Sequence, residues 1–553
     1  MALSILTGCA ASWVQEQAGL STDLRPERSI PVVELGDPAP TPPSGKPAAL
    51  PPPGTSVRTM LADGQARVVR VGLDAFRVAL LENNLRLKVA RVSPAIASTR
   101  VTSEFGRLDA TLRAAAVSVR DLEDASDNNR PTEALESRYT GGEAGVAVPL
   151  ATGGSLEVGA NLYSYETVYL DGDRLIDPSG KAYPSKLDAK LTIPLLQGAG
   201  YDANLGPIAV AAIDERISVA DLRNMLIRLM SSSEQIYWQL ARAWRTLEIQ
   251  SKMLDLAATS VADIEALATG GVVPEFERDR ARFTVTQRRA AVLRADLELR
   301  RAMRSVKVLM NRADVPLDAD VIVRPDSKPT MQRLILDRAR LAEVALENRS
   351  ELLRADFELR RDEMRLRMAQ RAILPKLDLH GSIGTLGIES KAGGSISSLL
   401  DGEFPPAWSV GLSFEIPILN RKARGELEAA RLARSRTETR TRAIELQILQ
   451  EVYDAVDRIE TTWAEIATYR NGEQDASRNL EGVRELLRIG LSSAMEVSLA
   501  IGDLSDAELA LLDSKIRYQV ALIQLAEATG TALGRQAIEV LPSQAEQKDD
   551  LVP

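Results

Sequence analysis

The chain has 553 residues with 68 basic and 77 acidic side chains, a formal net charge of −9, 26% charged residues and only 4% aromatic ones. Both signs of charge are interspersed, so there is no basic footprint for phosphate, and nucleic acid is excluded as a partner. So few aromatics favour long amphipathic helices over compact cores. No stretch of about 18 apolar residues offers a spanning helix, whereas a membrane barrel strand needs only about 9 to 11 alternating residues.

Cys9 is the one cysteine, so an internal disulfide is impossible. It sits in LSILTGCA (Leu3 to Ala10), which resembles a bacterial lipoprotein box in which the thiol is acylated, with palmitate among the chains added, and becomes the new N-terminus. Residues 1–9 are then a signal remnant, although Ala2 to Leu6 is short for a signal core and no Lys or Arg precedes it. An inert thiol is the alternative. Residues 10–60 include GDPAPTPPSGKPAALPPPGTS, whose prolines withhold amide donors and favour extended segments, as in a tether.

From Gly64 to about residue 103 the apolar spacing predicts a helix, with Val68, Val71, Leu73, Phe76, Ala79, Leu80 and Leu87 near one stripe. Alternation then predicts strands. Leu108, Ala110, Leu112 and Ala114 alternate with polar partners, as do Leu156, Val158, Ala160 and Leu162, and then Leu187, Ala189, Leu191 and Ile193. Gly153-Gly154 reads as a turn, and the polar, Gly- and Asp-containing stretches 123–142 and 171–184 read as loops.

The same grammar returns in a second half. A helical stretch from Gln332 to Ala372 precedes strands carrying Leu377, Leu379 and Ile383, then, after a Gly/Ser-rich loop at 390–406, Trp408, Val410, Leu412, Phe414 and Ile416. Proline ends each strand section, at Pro194 and at Pro417. Very long helices follow. Pro194 to Gly270 is 76 residues and Pro417 to Gly490 is 73; the return arms, Gly270 to Asn311 and Gly490 to Gly530, are 41 and 40. The long arms reach on the order of 100 Å at 1.5 Å per residue. Two repeats of this kind make a rod with strands at one end.

Catalytic chemistry has little to work with: the single histidine, His380, lies on the polar side of a strand, and no phosphate loop, nucleophile elbow or metal motif is present. The reading is a non-enzyme without cofactor or metal. The turns at LATGGVVPE and LRIGLSSAMEV read as hairpin caps, with Ser492 or Ser493 as N-cap. They also read as docking tips, at Thr269, Gly270 and Gly271 and at Ile489, Gly490 and Leu491.

The strand exits LTIPLLQGAG and FEIPILNRKARG, the stretch ALENRSELLRADFELRRDEMRLRMAQRAILPKLDLHGSIGTLG, the RIGL tip and the AEATG close at Gly530 together resemble the TolC family of outer membrane factors, over about residues 60 to 535. The resemblance implies a mostly α fold with membrane β: two internal repeats of strands plus long antiparallel helices, a homotrimer closing one β-barrel continued by a periplasmic α-helical barrel. It divides the chain into a first repeat at 61–311, an equatorial connector at 312–331, a second repeat at 332–530 and a tail at 531–553. It implies a passive, lipid-anchored outer membrane channel for efflux or type I secretion. A periplasmic adaptor would grip its tips, and an inner-membrane pump of the resistance-nodulation-division or ABC type would drive it.

In the family an acid six positions past the tip glycine helps form the periplasmic mouth, and Glu496 takes that place after Gly490; Glu275 and Glu277 stand nearby in the first repeat, out of register by about one residue. A second acid three positions later is replaced by Leu499. A further departure is the hairpin-like segment Ala144 to Tyr165, where two strands per repeat would suffice; it extends the barrel or forms a surface insertion. The rival reading is a soluble or peripheral coiled-coil scaffold, which accounts for the helices but not for strands ending twice at Ile-Pro.

Overall fold

Alternating apolar and polar residues build one large antiparallel sheet. Its strands are β2 (Thr111–Asp124), β3 (Glu133–Pro149), β4 (Ser155–Asp171), β6 (Tyr183–Pro194), β8 (Lys376–Glu389) and β9 (Ala407–Glu415), adjacent in that order, with the short β5 (Arg174–Ile176) paired to β4. The computed structural model describes residues 57, 67–124, 133–171, 174–176, 181–317, 321–401 and 406–535. Cys9, nearly all of the tether at 10–60 and most of the C-terminal tail lie outside them.

The chain divides into two compact units. The first holds Pro94–Ser218 and Ala355–Arg440, and with them the whole large sheet. Register carries one face across all six strands: Leu112 pairs with Val146, Val146 with Val158, Val158 with Ala189, Ala189 with Ile383 and Ile383 with Trp408. The neighbouring row on the opposite face runs Thr111, Ala147, Glu157, Lys190, Ser382 and Ser409. Side chains alternate across a strand, so near these rows one face is apolar and the other largely polar; further along β2, β3 and β4 the first face turns polar, with Ser118, Thr140 and Ser164 in one row and Arg120, Arg138 and Glu166 in another. The unit's helical core gathers Leu205, Ile208, Ile213 and Ile217 with Ala151, against Val101, Phe105 and Phe357.

Two stretches expected as loops are ordered elements here. Residues 133–142 belong to β3, which pairs with β4 along its whole length. The glycines that suggested a loop serve close packing, since a Cβ on Gly141 would lie 2.3 Å from the Tyr163 ring, and that ring also stacks on Tyr139 at 4.6 Å. Residues Ala392–Asp401, within the expected loop at 390–406, form a helix. Its serines seat it on the sheet: the Ser185 and Ser395 hydroxyls are 2.7 Å apart, and Ser395 Oγ donates to Gly387 O at 3.0 Å. A side chain at Gly387 would strike Ser395 O at 2.6 Å.

The second unit holds Val219–Arg354 with the segments before Pro94 and after Arg440. The helix expected from Gly64 begins only at Leu73. Arg67–Val71 is instead a strand, β1, running parallel to β7 (Val321–Pro325). The run RVVRV favours this because β-branched side chains pack well on a pleated surface. Tyr237 ties the pair down, donating to Val71 O at 3.0 Å and accepting from Ser327 N at 3.2 Å. Helix α1 (Leu73–Asn83) stops at Asn84, whose amide donates to Leu309 O and whose side-chain carbonyl accepts from Leu87 N; α2 is Leu85–Phe105. The helix expected from Gln332 starts later, after the N-cap Asp337, which accepts from Ala339 N and Arg340 N.

The long helices match the measured spacings. Gly206–Thr269 (α4 after the short α3, Tyr201–Asn204) has 64 residues and Phe276–Met310 (α5) has 35; α6 (Arg338–Asn348) and α7 (Ser350–Ala372) precede β8, and α8 is Ala392–Asp401. In the second half Arg421–Arg488 (α9) has 68 residues and Ala494–Ala528 (α10) has 35. The return arms end at Asn311, φ 43°, and shortly before Gly530, φ 68°, left-handed positions that stop a helix. No described helix is long and apolar enough to cross a membrane.

Candidate functional site

Both long hairpins of the second unit turn by one motif. Val272 N donates to Leu267 O and Gly271 N to Ala268 O; in the second hairpin Leu491 N donates to Leu486 O and Gly490 N to Leu487 O. These are Schellman closures, which place one residue at the end of the helix in the left-handed region, and Gly271 (φ 74°) and Gly490 (φ 78°) occupy it. The turning residue of the first hairpin is therefore Gly271, with Gly270 still in the helical ladder through Ala266 O.

That shift by one residue changes the register. Six positions past Gly490 is Glu496, and six past Gly271 is Glu277, so the two acids are equivalent and Glu275 is not in the set. Three positions further, the second hairpin has Leu499 and the first has Arg280. Both glycines of the pair can adopt positive φ; counting from the second, which an apolar residue follows as Leu491 follows Gly490, gives this register.

The equivalent acids have different surroundings. Glu496 is fully exposed and completes a capping box: Ser493 N donates to its Oε2 at 2.9 Å, and Ser493 Oγ accepts from Glu496 N at 3.3 Å. The Ser492 hydroxyl also donates to Oε2, and these donors hold the carboxyl below the usual carboxylate range. Glu277 is 6% exposed, so its carboxylate does not face solvent as an aperture residue would. Its Oε2 accepts from Ala494 N at 3.0 Å and its Oε1 from Arg280 Nη1 at 2.9 Å. Both acids thus serve the start of α10, where unpaired amides and the helix dipole favour negative charge. Glu275 is exposed and makes no side-chain cap.

Packing joins the two hairpins at this end. Ile264, Ala281, Leu487, Ala494, Val497 and Ile501 share one buried cluster, Thr284 Oγ1 donates to Ser498 Oγ at 2.8 Å, and a Cβ at Gly490 would meet Val272 Cγ1 at 3.2 Å. The outer surface stays apolar: Val272, Phe276, Ile489, Leu491, Met495 and Leu499 are all exposed. Thr269 donates to Glu265 O within its own helix. In the first unit Pro194 closes β6 opposite Asp378, while Pro417 lies two residues beyond the end of β9, between the exposed Ile416 and Ile418.

Residues 341–531 match the family model described as outer membrane efflux protein. Outer membrane protein OprJ of Pseudomonas aeruginosa is 26% identical over 309 residues, which is 55% of this chain and 61% of OprJ, so the match spans about three fifths of that relative. Among solved structures, CusC, studied for its folding and transmembrane channel formation, superposes with a TM-score of 0.61 at 17% identity over 84% of this chain and 94% of its own. The CmeC outer membrane channel of Campylobacter jejuni does so with a TM-score of 0.60 at 14% identity, over 94% and 97%.

Proposed function

We propose that this chain is a member of the outer membrane efflux protein family and the outer membrane duct of a tripartite efflux or type I secretion system. The observation that carries the reading is a belt across the six-stranded sheet that is apolar on one face and largely polar on the other. Its apolar face is exposed on the inner strands as well as at the edges, with Val146 at 40%, Val158 at 44% and Ile383 at 54% accessible beside Leu112 at 77% and Trp408 at 75%. Hydrocarbon on that side and an aqueous lumen on the other satisfy both faces. A six-stranded sheet with two open edges cannot stand in lipid, so copies must join edge to edge. A homotrimer is the assembly proposed.

In this reading the duct is passive: no catalytic step is assigned, and energy comes from an inner-membrane pump, of the resistance-nodulation-division or ABC type, through a periplasmic adaptor. The apolar tips at Gly271 and Gly490 are its docking points, supported by the exposed Ile489 and Leu491. Glu496, the exposed acid, is the aperture residue, and its three copies would attract cations. Cys9 supplies a lipid anchor in the same membrane as the barrel. Residues 61–311 and 332–530 are the two repeats, joined by a connector at 312–331.

Fractionation tests the reading. The full-length protein is expected to partition with outer membranes, to run as a heat-modifiable oligomer and to conduct ions in planar bilayers. A water-soluble species without conductance would overturn the duct and leave a coiled-coil scaffold in its place.

A further inference from the structure

Two strands per repeat would give a wall of four strands per copy and twelve per trimer. The first half of this chain has four long strands. Sequence order and spatial order agree along the sheet: β2 comes after the incoming helix, β6 precedes the long helix, and β3 and β4 lie between them. Among the described residues, the hairpin β3–β4 is consequently the only link between β2 and the rest of the sheet. Val146 bridges Leu112 to Val158, and Val158 continues to Ala189. Peeling the hairpin off as a surface insertion would strip β2 from the sheet with it.

Next to the turn that joins them, the inserted strands also obey the wall's two-sided pattern. Ala144, Val146 and Val148 pair with Ala160, Val158 and Leu156 on the apolar face. On the other face Glu143 stands opposite Asn161, and Tyr163 Oη donates to Glu143 Oε2 at 3.3 Å. Tyr163 covers Gly141, its cross-strand partner, which is how an aromatic compensates a glycine inside a curved sheet. Strand directions alternate along the path, so β9 of one copy is antiparallel to β2 of the next, and an even number per copy permits closure.

We infer that the hairpin β3–β4 is an integral part of the barrel wall, and that three copies close an eighteen-stranded barrel, six strands from each, sealed by β2 of one copy against β9 of its neighbour. This rests on the duct reading above. At equal strand tilt the circumference is about one and a half times that of a twelve-stranded barrel, in the range where porins enclose an open aqueous channel.

Electron cryomicroscopy of the full-length protein in lipid nanodiscs tests it. Eighteen strands in a trimer are expected; twelve strands in a trimer overturn the inference while leaving the duct intact, and a particle with no barrel overturns the duct itself. Cysteine pairs add a second readout in a Cys9→Ser background. Oxidised pairs between Thr111→Cys, Arg113→Cys or Ala115→Cys in β2 and Gly411→Cys or Ser413→Cys in β9 are expected to yield covalent trimers. Covalent trimers formed instead by Glu157→Cys or Gly159→Cys in β4 with the same β9 positions would mean that β2 and β3 stand outside the wall.

Discussion

The two hairpin ends share a backbone and differ in how an equivalent acid is used. Gly271 and Gly490 close the same hydrogen-bonded turn, and each is followed six residues later by a glutamate. Glu496 caps its own helix from the surface, whereas Glu277 crosses to the other hairpin and caps Ala494 from within the packed core. The start of α10 is therefore served by two carboxylates, and the start of α5 has no side-chain cap from Glu275. The pairing teaches that a position can be kept through a repeat while its task moves from local capping to holding two hairpins together.

The largest effect in this comparison is expected from Glu277→Ala. It leaves the buried Ala494 amide without its acceptor, and a hydrogen bond to a charged group contributes about 1.5–3 kcal/mol. Hydrogen exchange on the purified full-length protein should show the first turn of α10 opening more readily by about that amount. Equal protection in the variant would mean that the cross-hairpin contact contributes nothing.

Glycine replacement sharpens the likeness of the turns. Gly490→Ala should cost about 1–2 kcal/mol, because a left-handed alanine is strained and its Cβ meets Val272 Cγ1. Gly271→Ala carries the same backbone strain with open space around it, so its cost, read by the same exchange measurement, should be the smaller of the two. Next comes Ser493→Ala, expected to cost about 1 kcal/mol as an N-cap loss.

Glu496→Gln separates the two acids by pH. The Glu496 carboxyl is held below its ordinary value of 4.5 by the Ser492 hydroxyl and the Ser493 amide. A depressed acid adds stability above its unfolded value, and that contribution is lost as pH falls through the folded value. Protection of the tip in wild type and Glu496→Gln should thus differ at neutral pH and converge in acid below 4.5. A constant difference across that window would remove the carboxylate from the account. The smallest effect is expected from Glu275→Gln, within about 0.5 kcal/mol in thermal unfolding, as for an exposed surface change.

Much of this is legible in the letters. Alternation locates β2, β4, β6, β8 and β9, and glycine and proline punctuation marks out the helix arms, because side-chain period and backbone permissiveness are local properties. Other features depend on partners far away in sequence. The glycines of β3 read as a loop until Tyr163 is seen lying over Gly141, and the serines of α8 read as a loop until Ser395 is seen bonded to Ser185. RVVRV reads as helical in continuity with the helix from Leu73, and only β7, some 250 residues on, explains its extended form. At the tips, two adjacent glycines hide which one turns the chain, and with it the equivalence of Glu277 and Glu496.

Strand length carries one last consequence. β2 has 14 residues and β9 has 9, so in the proposed seam the longer edge would overhang the shorter by several residues. An unpaired overhang is a template on which stray chains can add, the first step of aggregation. With the start of β2 set against the end of β9, as the cysteine pairs assume, the overhang would begin at Arg120 and Asp121, a cation followed by an anion. Charge at that point would disfavour a stray strand from outside the ring, so the part of the proposed seam that no neighbour covers would be guarded by its own composition.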